Sequence, residues 1–223
     1  MWAIYKKELK SYFLSPIGYI GIGIFLIIFS LIFYITPISV GAYDMGSLYY
    51  YTAFYGLLII TPIITMRMFA EERKNGTEQL LLTSPRGITA IVLGKFLAAV
   101  TLIAIILAFS FVYYIILCFF KAPNLVTTLV AMLGFLLVAM AAISLGMFIS
   151  SLTEHQVVAA IITIVLLFLP NLTGMLTSIN LMSFYGKFPG GLISITDIIN
   201  LFAYMIMFIL FTIIIIQRRK SVK

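Results

Sequence analysis

The side chains able to carry chemistry are few. Two Gly-Lys pairs, Gly94-Lys95 and Gly186-Lys187, have the ending of a phosphate-binding loop, in which backbone amides and a lysine cradle phosphates. Phe96 and Phe188 follow them where Ser or Thr would reach a magnesium ion, and Thr89 and Leu181 stand where the leading glycines belong. Nucleotide hydrolysis by this chain is therefore not expected, and both lysines read as snorkelling side chains near span ends. The single histidine, His155, stands beside Glu154, with Ser150 and Ser151 one turn earlier. A base, an acid and a hydroxyl so close can serve hydrolysis, but a solvated turn between helices is the plainer reading. One histidine cannot assemble a metal site, and the lone Cys118 has no partner for a disulfide or thiolate site. Neither catalytic residues nor a metal nor a cofactor is expected in this chain.

The densest polar stretch is Arg67-Met-Phe-Ala-Glu71-Glu72-Arg73-Lys74-Asn75-Gly76-Thr77-Glu78-Gln79-Leu80-Leu81-Leu82-Thr83-Ser84-Pro85-Arg86-Gly87. Its chemistry is that of a docking surface. A polar helix can run to Asn75, and Gly76 can end it in the left-handed conformation, which a residue without Cβ takes cheaply. Thr77 then caps a short helix whose first turn holds Glu78, matching the helix dipole, and Pro85 ends it. Leu80, Leu81 and Leu82 would face water on such a knob, an unfavourable exposure at about 25 cal/mol per Å². Two readings stand: a partner covers the leucines, or they fold back onto the membrane surface and neighbouring helices.

The elements that position this knob follow from composition. Of 223 residues, 63% are hydrophobic and 9% charged, too few polar side chains to cover a water-soluble domain. The charges leave uncharged gaps at 11–43, 45–66, 96–120, 122–153, 156–186 and 198–217, each able to cross a bilayer, which takes about 20 apolar residues. Without ten-residue alternation they predict helices, not a β-barrel. The first gap lacks the cleavage site of a signal peptide, and the net charge of +7 reads as membrane topology, not nucleic-acid binding.

The expected fold is an all-α polytopic membrane protein, one domain over 1–223, with spans at about 16–36, 49–67, 89–119, 125–150, 156–175 and 197–217. Residues 2–14 place Trp2, Tyr5, Leu9, Tyr12 and Phe13 on one helical face, with Lys6, Lys7, Glu8, Lys10 and Ser11 largely on the other. That predicts a basic interfacial helix with its lysines toward anionic lipid, broken at Ser15-Pro16, or else simply the charged start of span one. Tyr49, Tyr50, Tyr51 and Tyr55 read as an interfacial aromatic cluster, and Pro62 as a kink. Between spans five and six, residues 171–196 are too broken to span and too apolar for a free loop. They predict short outer helices or a re-entrant hairpin, with Ser194 to Asp197 starting the last span. Twelve of the 14 Lys and Arg residues fall on one side, all but Lys121 and Lys187, so both termini are expected in the cytoplasm.

Glu71 to Pro85, continuing through Ile91-Val-Leu-Gly-Lys-Phe96, resembles the cytoplasmic signature of permease subunits of the ABC-2 exporter family. Leu145 to Ala160 is similar to that family's turn between spans four and five. Gly191 to Asp197 is similar to the approach to the last span in the subgroup with gliding-motility and copper-processing permeases. In the outer segment, Phe184-Tyr-Gly-Lys-Phe-Pro189 lacks a histidine often found there, so the subgroup and the substrate stay open.

The resemblance implies a half-transporter in the plasma membrane of a prokaryote, paired with a second permease subunit. Each half would engage a cytoplasmic ATPase subunit, and that partner, not this chain, would bind ATP and Mg. By motif match Glu71, Glu72, Arg73, Gly76, Thr77, Glu78, Leu82 and Pro85 take the ATPase-coupling role, on a coupling helix between spans two and three, with residues 2–14 as the elbow helix. The resemblance also points to spans two and five for the translocation path, through Phe54, Leu58, Ile161, Val165 and Phe168, although these residues equally suit lipid or helix contacts. An uncharged path suits an amphipathic or lipid-like substrate better than an ion. The alternative is a stand-alone carrier or channel, but Asp44, Lys121, Glu154, Lys187 and Asp197 all fall near span ends and not at mid-bilayer.

Overall fold

A computed structural model describes residues 1–39, 44–77, 87–120, 122–173 and 180–222, and every regular element among them is helical. Helix α1, Trp2–Leu14, ends at Ser15, which is extended (φ −93°, ψ 149°), and Pro16 opens α2, Pro16–Phe33. The proline's missing N–H is one that a first helical turn leaves unbonded anyway, while its ring steers Ser15 away from the helical region. A π-helical turn, Tyr34–Ser39, follows. Helix α3, Met45–Thr65, is capped by the Asp44 carboxylate, which accepts from the amides of Gly46 and Ser47. Then come α4, Ala70–Lys74; α5, Ile88–Cys118; α6, Leu125–Leu152; and α7, Gln156–Thr173. Two short elements follow, α8, Leu181–Tyr185, and a 3-10 turn, Phe188–Gly190, before the last helix α9, Ile195–Val222.

Among the described residues five stretches are long and apolar enough to cross a bilayer: Gly18–Thr36, Met45–Lys74, Ile88–Cys118, Leu125–Leu152 and Ile195–Lys220. The stretch expected as the fifth of six spans is a shorter apolar helix, Gln156–Asn171. Among the described residues the segment 180–194 forms short helices, as one of the two sequence readings has it.

Helix α6 is the hub, packed against α3, α5, α7, α9 and the 3-10 turn. Its buried residues include Ala131, Gly134, Ala139, Ala142, Gly146 and Ser150. In lipid, apolar surface gains nothing by leaving the solvent, so association depends on close packing, and small residues permit it. A Cβ on Gly146 would overlap Thr65 of α3, and one on Gly134 would come within 2.6 Å of Phe188 Cβ. The backbone of α6 is thus the surface on which two other elements sit.

At one end of the bundle the Tyr185 hydroxyl donates to the Ala131 carbonyl (3.1 Å), and Lys187 Nζ lies 3.0 Å from Asp197 Oδ2. The tyrosine cluster divides. Tyr51 and Tyr55 are exposed as an interfacial belt requires, but Tyr49 is fully buried, its hydroxyl 2.9 Å from Ser110 Oγ on α5. At the other end α1 lies along α5, with Ile4 against Gly94 and the Tyr5 hydroxyl 3.1 Å from Thr101 Oγ1. The two faces of α1 also differ from the sequence pattern: Trp2 is exposed with the lysines, and Glu8 turns inward.

Candidate functional site

The polar helix expected to run unbroken from α3 to Asn75 is interrupted, because α3 ends at Thr65 and a turn over 66–69 precedes α4. A five-residue helix leaves most of its amides without intrahelical acceptors, and its N-cap residue is Phe69, which has no capping side chain. The cap comes from another helix. Ser150 Oγ of α6 accepts from the amides of Phe69 (3.1 Å) and Ala70 (3.2 Å), and its hydroxyl lies 3.3 Å from the Met66 carbonyl. A serine near the end of the hub helix therefore fixes both the turn and the start of α4.

Ionic contacts hold the rest. Arg67 and Glu71 pair one turn apart along the segment. Arg73 donates to the Leu152 carbonyl (3.1 Å) and to the Glu154 carboxylate (2.8 Å), at the turn from α6 to α7. Glu72 points the other way, 2.8 Å from Lys95 Nζ on α5, and Lys95 also lies 3.3 Å from Glu8 on α1. Lys95 is only 2% exposed, with Phe69's ring 5.3 Å from its Nζ, so it is a buried bridge between two carboxylates and not the snorkelling side chain that its place near a span end suggests. Lys187, the other lysine of that reading, is exposed and paired with Asp197. A buried cation of this kind is held only while its acidic partners stay in place.

Gly76 follows with φ +70°, the left-handed conformation expected of a helix terminator. Thr77 Oγ1 is 3.3 Å from the Glu72 carbonyl, so among the described residues it bonds back to α4. Of the residues matched to the coupling role, Glu71, Glu72, Arg73, Gly76 and Thr77 are thus brought together, whereas Glu78, Leu82 and Pro85, with the leucine run, lie outside the described residues. Glu154 joins this cluster as a partner of Arg73, and Ser151 offers its carbonyl to Arg219 of α9. The basic residues of α1, of the 66–77 segment and of the end of α9 therefore gather at one end of the bundle.

The second candidate set divides. Phe54 and Leu58 of α3 are half-buried and line a small apolar pocket with Leu57, Val138, Leu167 and Met182. Phe54 meets Phe168 of α7 edge-on, ring centroids 6.4 Å apart. Ile161 and Val165 face outward on α7, among Val157, Val158 and Ile162. Sequence reasoning missed Glu8, Lys95 and Ser150. No local signal marks Lys95 or Ser150: Gly186 precedes the exposed Lys187 just as Gly94 precedes the buried Lys95.

The family model described as ABC-2 family transporter protein matches residues 49–219, a stretch that contains the α4 segment and both candidate sets. No curated protein matches the chain.

Proposed function

The chain belongs to the ABC-2 transporter family, and from that membership we propose that it is the permease subunit of an ATP-binding cassette exporter. It is a multi-pass membrane protein with several apolar helices. In this reading it forms half of the translocation path beside a second permease subunit, in the plasma membrane of a prokaryote. Cytoplasmic ATPase subunits, which bind ATP and Mg, dock on the loop after α3. Helix α7 completes a six-span topology as its short member, and the end that gathers the basic residues faces the cytoplasm, in line with the positive-inside rule.

The observation that carries the proposal is how α4 is held. Lys74, Asn75, Gly76 and Thr77 are exposed, yet the helix behind them is tied to α6 through Ser150, to the α6–α7 turn through Arg73, and to α5 and α1 through Glu72 and Lys95. A push on the exposed residues is delivered to four elements at once. Glu78, Leu82 and Pro85 extend the docking surface, α3 and α7 carry its displacement to the path, and Phe54, Leu58, Ile161, Val165 and Phe168 line that path.

Purification at native expression tests the partner: a soluble P-loop ATPase is expected to accompany the chain. Gly76→Pro, which cannot adopt φ +70°, and Glu72→Arg, which sets a second cation beside Lys95, are expected to leave folded protein in the membrane while transport no longer follows ATP hydrolysis. A chain that purifies alone and moves solute down an ion gradient would overturn the proposal.

A further inference from the structure

The outward face of α1 carries Trp2, Lys6, Lys7, Lys10 and Leu14, all exposed. It holds three lysines and no carboxylate, because Glu8, the one acid of α1, is turned inward to Lys95. Trp2 (65% exposed) and Leu14 (75%) stand at the two ends of the helix, and Lys6 Nζ lies 5.5 Å from the centre of the indole. Through Ser15, α1 joins an apolar stretch long enough to span, a position that suits headgroup depth. Lysines beside an anionic membrane surface are drawn to it.

Behind that face runs a row of alternating charges. Lys7 is 3.4 Å from Glu8, Glu8 is 3.3 Å from Lys95, and Lys95 is 2.8 Å from Glu72. Two cations serve two carboxylates, and Lys7 alone of the four has a largely exposed side chain. A lipid phosphate that takes Lys7 leaves Glu8 and Glu72 to share the buried Lys95. The ammonium is then drawn toward Glu8, and its hold on Glu72 slackens.

We infer that α1 binds anionic phospholipid and that the row Lys7, Glu8, Lys95, Glu72 relays this to α4, loosening the segment beside the docking surface when such lipid is present. Its consequence for ATPase docking rests on the function proposed above, but the relay is tested on the permease chain alone.

The full chain is placed in nanodiscs of phosphatidylcholine, with or without phosphatidylglycerol. Trp2, the single tryptophan, reports α1 through quenching by brominated lipid. The amides of Arg73, Asn75 and Gly76, bonded to the carbonyls of Phe69, Glu71 and Arg73, report α4 through hydrogen exchange. Phosphatidylglycerol is expected to deepen Trp2 quenching and to speed exchange over 73–76 about two- to five-fold, the scale of one partly exposed ion pair. Both responses vanish in about 1 M salt, where the Debye length is about 3 Å. In Lys7→Gln the exchange is already fast in phosphatidylcholine and no longer responds; in Glu8→Gln quenching still responds but exchange does not. The inference is overturned if phosphatidylglycerol changes neither readout, if exchange responds equally in Glu8→Gln, or if inorganic phosphate alone reproduces the effect.

Discussion

Replacing Ser150 by alanine removes one hydroxyl and orphans groups on another helix. Its Oγ accepts from two amides, those of Phe69 and Ala70, and lies 3.3 Å from the Met66 carbonyl. Phe69 and Ala70 are buried, so water does not readily replace the lost acceptor. Loss of a helix cap costs about 0.5–2 kcal/mol, and an orphaned buried donor about 1–3 kcal/mol. Taking about 2 kcal/mol for the pair, the opening equilibrium of α4 shifts about thirty-fold. Hydrogen exchange at Arg73 and Asn75, whose own bonds are to Phe69 and Glu71 and are untouched by the substitution, is therefore expected to quicken about thirty-fold, with the melting temperature of the whole protein little changed. Ser151→Ala is the control: among the described residues that hydroxyl bonds to the Phe148 carbonyl of its own helix, and its loss is expected to shift exchange less than about two-fold. Equal exchange in the two variants would refute a cap supplied across helices.

Two further substitutions test the packing that carries this site. Gly146→Ala drives a Cβ into Thr65 and is expected to cost about 1–3 kcal/mol, read as a lowered melting temperature in detergent, whereas Gly56→Ala, whose nearest neighbour would be 3.5 Å away, is expected to be close to neutral. Ser110 already donates to the Leu107 carbonyl, so Tyr49→Phe removes one hydrogen bond at about 1 kcal/mol, while Ser110→Ala leaves the Tyr49 hydroxyl buried without an acceptor; chemical denaturation should rank Ser110→Ala as the more damaging.

Most of the helix layout was legible because runs without charge can satisfy their backbone in lipid in few ways. Residues 2–14, the break at Ser15-Pro16 and the left-handed Gly76 were readable from local chemistry alone. The interruption at 66–69 was not, since its cap is Ser150, some 80 residues away, and nothing in the local run marks the end of α3. Lys95 was misread for the same reason. Near a span end a lysine either snorkels or pairs, and the choice depends on Glu8 and Glu72, which only the packing of α1 and α4 on α5 brings within reach. Trp2 went to the wrong face because helical periodicity gives the relative directions of side chains but not which direction meets protein.

The hub position of α6 has a consequence for biogenesis. The chain leaves the ribosome from its amino end, so α2, α3 and α5 enter the membrane before α6 has been made. Until α6 arrives, the small-residue contact at Thr65 and the cap on α4 have no counterpart, although α2, α3 and α5 can already pack on one another, as Tyr49 and Ser110 do. Bundle closure is then a late event, completed when α9 settles along α6 and Arg219 reaches the Ser151 carbonyl.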